Sequence, residues 1–335
     1  MDKHIIAIDA MGGDNAPTEI IQGALEALKI LPVNILLIGS EELISNELKN
    51  HVYDKNRLEI VNATEKIENT DTPTVAIKQK KDSSLAIGFS VLKEKRAHAL
   101  ISAGNTGALL AGATLKVGRI KGIKRPALTA LLPSKKGYVM LLDCGANADC
   151  KPEYLVQFAK MGQVYMENVM GIKRPKIALA NIGVEEQKGN MLTKETYKLL
   201  KDDIDINFVG NIEARDILAG DVDVIVADGF VGNIILKTVE GVATNLLSTI
   251  KEEIKSTTLS KLGALFAKGA FKNVKKRFDH QEVGGAPFLG LKALVIKAHG
   301  SATAKDIVSS AKVCYKFLEV DMIEKFEKEI TNNGI

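Results

Sequence analysis

The sequence predicts an α/β protein with an open, doubly wound, mostly parallel sheet covered by helices. Short apolar runs rich in Val, Ile and Leu alternate with segments of helical periodicity along most of the chain. Because these runs are uniformly apolar, they are typical of parallel strands buried on both faces. Repeated strand–helix–strand units favour a sheet with helices on both sides.

Ten segments of the chain are predicted strands, and helical patterns lie between most of them. The clearest helical patterns are Thr18–Lys29, Pro152–Val169 and Thr193–Asp202. The predicted strands are Ile5–Ile8, Asn34–Ile38, Leu58–Val61, Ala99–Ser102, Leu128–Leu132, Val139–Leu142, Lys176–Ala180, Ile206–Val209, Val222–Val226 and Leu294–Lys297.

The strand–helix alternation stops after residue 233. Asn233–Ser256 predicts a long helix, and the segment between Thr257 and Phe278 contains six lysines or arginines and no acid. We expect a protruding, basic, amphipathic helical hairpin over residues 240–282, within a single catalytic domain spanning residues 1–335 or two closely packed halves. It could pack on the core, form a dimer arm, or contact an anionic membrane or acidic partner. The candidate contact residues are Leu262, Leu265, Phe266 and Lys268.

Composition excludes several classes of protein. The net charge is +4, tryptophan is absent and aromatic residues make up 5% of the chain, so nucleic-acid binding is not expected. No apolar run approaches the roughly 20 residues that cross a bilayer. The three cysteines form no Cys-x-x-Cys pair, which argues against a disulfide framework and a cysteine zinc site and fits a reducing cytoplasm.

Seven polar, glycine-containing segments follow predicted strands. Because the carboxyl ends of parallel strands meet at one edge of a sheet, where ligands bind, we expect all seven on one rim. The segments are Asp9–Asp14, Ser102–Gly107, Asp143–Asn147, Asn181–Asn190, Gly210–Glu213, Asp228–Asn233 and His299–Ser301.

The most informative of these segments is Ser102-Ala-Gly-Asn-Thr-Gly107. Gly104 and its neighbouring glycine let the backbone approach a ligand closely, and Ser102, Asn105 and Thr106 supply side-chain donors. The start of the following helix adds N–H groups and the positive end of a dipole. The segment therefore predicts an anion site, with a capped strand-to-helix turn as the alternative.

Three further residues are candidates for catalysis. Lys188 could neutralise a bound oxyanion, Asn233 offers an amide at a helix start, and His299 opens a ligand-facing loop. The alternatives are a solvated lysine, a helix cap and a buried histidine. Other candidate substrate-binding or phosphate-binding residues in the same segments are Asp9, Gly12, Gly13, Asn147, Asn190, Asp228, Gly232 and Ser301.

Several well-known sites are missing from the sequence. There is no phosphate-binding Gly-x-x-x-x-Gly-Lys-Ser/Thr, no Gly-x-Gly-x-x-Gly after the first strand and no Gly-x-Ser-x-Gly. The aspartates at strand ends show no spacing that favours a metal, so no metal site is expected.

Together these loops resemble the bacterial phosphate acyltransferases of phospholipid synthesis (acyl-[acyl carrier protein]:phosphate transacylases). The resemblance runs from near the first residue to past residue 310. The matching segments are Ile8–Pro17, Ser102–Ala108, Asp143–Asp149, Glu186–Asn190, Asp228–Asn233, Gly284–Leu291 and His299–Ser301.

The resemblance implies a three-layer α/β/α fold similar to isopropylmalate dehydrogenase and phosphotransacetylase, usually as a homodimer without a cofactor. It implies transfer of a long-chain acyl group from acyl carrier protein to inorganic phosphate. The acyl phosphate would pass to a membrane glycerol-3-phosphate acyltransferase, which places the protein in the cytoplasm at the inner face of the membrane. In this scheme Ser102, Asn105 and Thr106 hold phosphate, Lys188 offsets its charge, and Asn233 and His299 assist the acyl carbonyl or the leaving thiolate.

Three other functions remain open from the sequence. A dehydrogenase of the isocitrate type shares the implied fold but lacks visible nicotinamide and metal signatures. Ser102–Gly107 also resembles the asparagine loop of pyridoxal-phosphate lyases, although Lys78 and Lys80 lack the context of a Schiff-base lysine. A non-catalytic regulator that binds phosphate or lipid is the third.

Overall fold

One mixed β-sheet forms the centre of the protein. The computed structural model describes residues 4–277 and 284–332, and within them the sheet contains eleven strands. In chain order they are β1 (Ile5–Asp9), β2 (Asn34–Gly39), β3 (Leu58–Asn62), β4 (Ala99–Ser102), β5 (Ala127–Ser134), β6 (Gly137–Leu142), β7 (Ile177–Asn181), β8 (Phe208–Glu213), β9 (Val224–Val226), β10 (Ala286–Leu289) and β11 (Leu294–Lys297).

Helices follow most strands. A π-helical turn, Ala113–Val117, continues the fifth helix. The α-helices are α1 (Thr18–Ile30), α2 (Glu41–Leu48), α3 (Pro73–Gln79), α4 (Ser84–Lys93), α5 (Thr106–Gly112), α6 (Pro152–Asn168), α7 (Met191–Asp202), α8 (Gly229–Ser256), α9 (Thr258–Phe266), α10 (Lys268–Arg277), α11 (Ala304–Glu319) and α12 (Met322–Asn332).

Strand direction divides the sheet into two halves. The order is β3-β2-β1-β4-β11-β10-β5-β6-β9-β7-β8, with parallel pairing among the first five strands and among the last four. Three antiparallel pairs, β11–β10, β10–β5 and β5–β6, lie between these groups, so the two groups run in opposite directions. We call the group containing β1, β4 and β11 the first half and the group containing β6, β7, β8 and β9 the second half.

The expectation that all seven loops share one rim is therefore wrong. The loops after β1, β4 and β11 leave the sheet in one direction, and those after β6, β7 and β9 leave in the other. The seventh segment, Gly210–Glu213, is not a loop, because it lies inside β8. Periodicity predicted most strands correctly but carried no information on direction, and β10 had not been predicted.

The register nevertheless brings the two carboxyl edges to the same height. Phe288 of β10 pairs with both Leu128 of β5 and Val295 of β11. Thr129, one residue further along β5, pairs with Leu142, the last residue of β6. Because β6 and β11 therefore end at almost the same level, loops of opposite direction can approach each other across the middle of the sheet.

Alternating strand residues build a core on each face of the sheet. Ile6 and Ile8 join a cluster with α1, α6 and α11, whereas Ala7, between them, joins a cluster with α4, α5 and part of α8. The same alternation in the other central strands gives the predicted three-layer α/β/α arrangement.

The segment after residue 233 is helical but divided differently from the prediction. The long helix α8 begins earlier, at Gly229, and the basic segment forms two helices, α9 and α10, which meet at Ala267. Only Gly229 and Gly232 of α8 are buried, and no residue of α9 is. Residues 278–282 of the predicted hairpin lie outside the described residues, so its limits stay a prediction. None of the helices within the described ranges has the length and apolar character needed to cross a membrane.

Candidate active site

The loops after β1 and β4 are joined through a buried carboxylate. Asp9, which is 1% exposed, accepts a hydrogen bond from the Ser102 hydroxyl at 2.7 Å through Oδ2 and one from the Met11 N–H through Oδ1. The Ser102 oxygen in turn accepts the Gly104 N–H at 3.0 Å. Burial raises the pKa of Asp9, and the hydrogen bonds that it accepts oppose this.

Glycines allow the same loops to meet. An ideal Cβ on Gly12 would lie 2.5 Å from Asp9 Oδ2 and 2.7 Å from the backbone nitrogen of Gly104. Gly13 has a φ of 98°, which side-chain-bearing residues rarely adopt. The backbone N–H of Asp14 then donates to the Gly300 carbonyl at 2.8 Å, which ties in the loop after β11.

Lys297, the last residue of β11, is a site residue that sequence reasoning missed. Its Nζ donates to the carbonyl oxygens of Ala103, at 3.1 Å, and Ala298. Burial lowers its pKa from 10.5 to about 8, although the charges of Asp9 and Asp14 act in the opposite direction. A lysine inside the apolar run 293–298 was the available signal, because lysine is rarely buried without a reason.

Two side chains of the predicted phosphate loop, Ser102 and Asn105, are already hydrogen-bonded within the protein. Asn105 Oδ1 caps α5 by accepting the Ala108 N–H at 2.9 Å, and its Nδ2 donates to the Glu68 and Asn69 carbonyls. The Ser102 hydroxyl is held by Asp9. Thr106, at the first turn of α5, is exposed. Direct phosphate binding by Ser102 and Asn105 stays a prediction, and the exposed groups here are Thr106 and backbone N–H groups.

The loop after β11 presents an exposed histidine. His299 Nδ1 lies 2.9 Å from the Ser301 hydroxyl, and Asn15 Nδ2 donates to the Ser301 carbonyl at 3.1 Å. These contacts place His299 and Ser301 beside the loop after β1, as the shared direction of β1 and β11 requires.

In the second half, Asp143 organises the loop after β6. Its Oδ1 accepts the Leu128 and Ala146 N–H groups, and its Oδ2 accepts the Asn147 N–H at 2.7 Å and Nδ2 at 2.8 Å. Asn147 Nδ2 also donates to the Pro126 carbonyl at 2.8 Å. Burial raises the pKa of Asp143.

The start of α8 packs closely against that loop. Asp228 caps the helix by accepting the Val231 N–H at 2.8 Å, and the Gly229 N–H donates to the Asn147 carbonyl at 2.7 Å. A Cβ on Gly232 would come within 1.9 Å of the Asp143 carbonyl oxygen. This close approach places the exposed Asn233 beside Gly145, with its Oδ1 3.6 Å from the position of a Cβ on that glycine.

The positive charge of Lys237, on α8, acts on the pKa of one residue in each half. It lies one turn after Asn233, on the same face of α8. Its charge lowers the pKa of Lys297 in the first half and acts on Cys144 in the second. Its ammonium also donates to Glu240 Oε2 at 2.7 Å, so this charge is partly neutralised on α8 itself. The sequence analysis had not selected Lys237.

A cavity of about 680 Å³ also lies between the halves. One wall contains Gly107 of α5, and the opposite wall contains Ala146 and Asn147. Loops that leave the sheet in opposite directions thus border one cleft, which is the size of a small-molecule site.

The loop after β7 is a separate structural unit. Asn181 Nδ2 donates to the Lys188 carbonyl at 3.2 Å, Asn190 Oδ1 caps α7, and Asn211 Nδ2 donates to the Glu185 carbonyl. Lys188 is exposed. No hydrogen bond or ion pair between described residues joins its side chain to Asn233 or His299, so its catalytic role stays a prediction.

Neither of the cysteines near the site has the properties of a nucleophile. Cys144 is buried, its thiol donates to the Leu128 carbonyl, and burial raises its pKa far above the usual value. Burial also raises the pKa of Cys150 to about 12. In the described part of the chain, no three His, Cys, Asp or Glu residues gather as a metal site would require.

Known proteins are similar to this chain over nearly its whole length. The model of the family described as "Fatty acid synthesis protein" matches residues 4–325. A phosphate acyltransferase from Clostridium kluyveri is 52% identical over 328 residues, which are 97% of this chain and 98% of that protein. One from Clostridium perfringens is 51% identical over 330 residues, covering 98% and 97%.

Solved structures show the same fold at low sequence identity. A phosphotransacetylase from Streptococcus pyogenes has a TM-score of 0.64 at 16% identity, covering 96% of this chain and 94% of that one. A branched-chain phosphotransacylase from Enterococcus faecalis has a TM-score of 0.58 at 15% identity, covering 93% and 98%. These structures share the fold, and the close relatives identify the chain as an acyltransferase whose reaction involves phosphate; it belongs to the fatty acid synthesis protein family, whose model matches residues 4–325.

Proposed function

We propose that the protein transfers a long-chain fatty acyl group from acyl carrier protein to inorganic phosphate, producing acyl phosphate for phospholipid synthesis. The observation that carries the proposal is the cleft between the halves. It is bordered by Gly107, at the end of the predicted phosphate loop, and by Ala146 and Asn147 of the second half, and Asn233 lies beside Gly145 of that same second-half loop. Two substrates, phosphate and a thioester, can meet there from opposite walls.

The reaction requires positioning more than covalent catalysis. A phosphate oxygen attacks the thioester carbonyl, a C–O bond forms, the C–S bond breaks, and the thiolate leaves. Phosphate is already an anionic nucleophile, and a thiol of pKa about 8.5 leaves readily as thiolate. The protein therefore needs cations for phosphate and donors for the carbonyl oxygen, and it needs no nucleophilic cysteine.

Polar groups of both halves supply these roles. Lys297 and Lys188 offset the charge of phosphate, and the exposed Thr106 and backbone N–H groups at the α5 start position it. Asn233 donates to the carbonyl oxygen, and His299 donates to that oxygen or to the departing thiolate. Asp9 acts through Ser102 and Gly104 by holding the phosphate loop in shape.

The direct test is phosphate-dependent thiol release from long-chain acyl carrier protein, with acyl coenzyme A as the comparison donor. We expect release of free thiol and formation of acyl phosphate only when phosphate is present. Absence of turnover with every donor, together with tight binding of phosphate or lipid, would instead favour a regulator. A colourless purified protein would speak against a pyridoxal-phosphate lyase.

We also propose that α9 and α10 contact the inner face of the cell membrane. Leu262, Leu265 and Phe266 are exposed, with Phe266 at 93%. Lys268 and other exposed lysines surround them, which is the pattern of a segment that docks on anionic lipid. Such contact would deliver an amphiphilic product to a membrane glycerol-3-phosphate acyltransferase.

Sedimentation with anionic vesicles tests this contact. The variant Leu265→Glu/Phe266→Glu should lose most of its binding, and high salt should weaken binding by the wild type. Zwitterionic vesicles and the variant Val52→Glu, at a distant exposed apolar position, are the controls. Unchanged vesicle binding by the Leu265→Glu/Phe266→Glu variant would contradict the proposed membrane contact.

The exposed apolar face of α8 supports a homodimer. Val242 and Leu246, four residues apart on one face, are 61% and 57% exposed. A long helix with this much uncovered apolar surface fits a second copy of the chain. Light scattering after size exclusion should show a dimer for the wild type and a monomer for Val242→Glu/Leu246→Glu. A monomeric wild type would contradict the proposal.

A further inference from the structure

The cavity between the halves contains a fixed cluster of positive charge that the proposed chemistry has not used. Arg119, Lys124 and Arg125 line it together with apolar and hydroxyl-bearing side chains. None of these three cations was selected from the sequence. The remaining lining residues are Pro73, Thr74, Gly107, Leu110, Ala111, Thr114, Leu115, Pro126, Ala146, Asn147 and Tyr154.

The loop that carries these cations is held from inside the protein. Gln157, which is fully buried, accepts the Lys124 N–H at 2.8 Å and donates to the Gly122 carbonyl at 2.9 Å. Ile120 and Ile123 of the same loop are buried in the core. The positions of the neighbouring cations are therefore set by packing.

Among the residues that the structure describes, the cations also have few acidic partners. Arg119 donates to the Lys124 carbonyl, and Arg125 lies over the Tyr154 ring with its Cζ 5.9 Å from the ring centre. Lys124 approaches Glu153 only at 4.0 Å. Against one carboxylate at the limit of an ion pair, three cations leave a net positive charge that suits a phosphate group.

One wall of the cavity runs along α5, away from the proposed phosphate loop. Its α5 wall runs from Gly107 through Leu110, Ala111 and Thr114 to Leu115, and Arg119 follows. At 1.5 Å per residue, the helical segment from Gly107 to Val117 is about 15 Å long. Asn147 lies beside the cationic loop, because its Nδ2 donates to the Pro126 carbonyl at 2.8 Å, and its Oδ1 accepts no hydrogen bond from a described residue. The α5 wall therefore leads from Gly107, at the end of the predicted phosphate loop, towards the cations, which begin at Arg119.

We propose that this cavity binds the phosphopantetheine arm of the acyl donor, with the arm's phosphate at Arg119, Lys124 and Arg125 and its thioester near Gly107. This inference rests on the proposed function and names the part of the donor that is recognised. The arm is roughly as long as an extended four-residue peptide, about 15 Å, so it spans the cavity wall. Thr74, Thr114 and Asn147 face its amides, while Leu110 and Leu115 pack on its methyl and methylene groups.

Donors with and without the arm's phosphate test the inference. Acyl carrier protein and acyl coenzyme A both end the arm in a phosphate, whereas acyl pantetheine lacks it. For Arg119→Ala and Arg125→Ala we expect KM to rise roughly 10-fold to 100-fold with both phosphorylated donors, the usual effect of losing a hydrogen bond to a charged group. KM for acyl pantetheine should not change.

Lys121→Ala is the matched control, because Lys121 is exposed in the same loop but does not line the cavity. Equal losses with both phosphorylated donors support recognition of the arm. A loss confined to acyl carrier protein would assign the cations to that protein's acidic surface, and a raised KM for inorganic phosphate would assign them to the second substrate. Either result overturns the inference.

The wild-type enzyme provides a second measurement that depends on no variant. Free phosphopantetheine should inhibit competitively against the acyl donor at least 10-fold more strongly than pantetheine, as expected for one charge-assisted contact. Equal inhibition by the two compounds overturns the inference while thiol release persists. Absence of thiol release with every donor would instead defeat the proposed function itself.

Discussion

In the first half, the loops after β1 and β4 are interlocked through buried side chains, whereas the candidate catalytic residues of the second half, Lys188 and Asn233, are exposed. Asp9 and Ser102 are each 1% exposed and hydrogen-bonded to each other. Lys188 and Asn233 are exposed, and no described residue makes a hydrogen bond to either side chain. The first half is thus organised before any ligand arrives, while the second half offers donors that acquire partners when substrate binds.

The two halves differ in which contacts hold the backbone of their loops. In the first half, side chains hold the backbone, because the Asp9 carboxylate gathers donors from two loops. In the second half, Asp143 gathers donors in the same way, and in addition the tight fit of Gly229 and Gly232 against residues 143–147 leaves the side chain of Asn233 outside. Substitutions in the first half should therefore affect folding and activity together, and those at Lys188 and Asn233 should affect activity alone.

The largest expected effect is the loss of turnover in Lys188→Ala and Asn233→Ala. Each should lose roughly 10²-fold to 10³-fold in kcat, the usual result of removing one donor to developing charge. Thermal unfolding should be unchanged, since both side chains are exposed. Lys194→Ala, an exposed lysine on α7, is the control for Lys188→Ala. Near-normal turnover in both variants would remove these residues from the mechanism.

The next largest effect is on stability, and it tests the close contact between α8 and the loop after β6. Gly232→Ala should lower the free energy of unfolding by about 3 kcal/mol, because its Cβ would meet the Asp143 carbonyl oxygen. Gly241→Ala is the matched control on the same helix, where a Cβ meets nothing within 4 Å. That change should raise stability by about 0.5–1 kcal/mol. Denaturant titration measures both, and equal responses would contradict the proposed close contact.

Ser102→Ala tests the coupling of folding and function in the first half. It removes the donor to Asp9 and the acceptor for Gly104, so unfolding should become easier by about 1–3 kcal/mol. KM for phosphate should rise as the loop loses its shape. The exposed control Ser248→Ala should change stability by less than about 0.5 kcal/mol. Lost activity at full stability would place Ser102 directly on the ligand instead.

The smallest effect is a pH dependence from Lys297. Its pKa of about 8 means that kcat/KM for phosphate should fall as the pH rises through 8, because the ammonium becomes neutral. Lys297→Arg should move this limb to higher pH, since arginine stays charged. Folding lowers this pKa from 10.5, so the unfolded chain binds more protons between pH 8 and 10.5, and stability should rise across that window. If kcat/KM for phosphate still falls near pH 8 in Lys297→Arg, the titrating group is not Lys297.

The sequence predicted the layers and most strands because apolar runs and helical periodicity report burial directly. It did not predict strand direction, since the reversal comes from the antiparallel pairing of β5 with β6, and an apolar run does not indicate which way its strand points. The four-residue strand β10, which contains Pro287 and resembles a loop, pairs antiparallel with both β11 and β5, so those two strands keep the same direction. The loops around Asp9 and Asp228 were recognisable as glycine-containing strand ends. Lys237 carried no local signal, because its relevance depends on α8 crossing towards the first half. The cationic cavity was equally hidden, since residues 119–125 follow α5 closely in the chain but the cavity is completed by Pro73, Thr74, Ala146, Asn147 and Tyr154 from other segments.

The 28 residues of α8 form one uninterrupted helix, about 42 Å long at 1.5 Å per residue. Asn233 lies in its first turns, and α9 and α10 follow its far end. The helix therefore acts as a rigid spacer that fixes how far the reaction centre stands from whatever its distal end touches. If α9 and α10 contact lipid as proposed, the length of this one helix sets the distance that the proposed acyl phosphate has to cover between the reaction centre and the membrane.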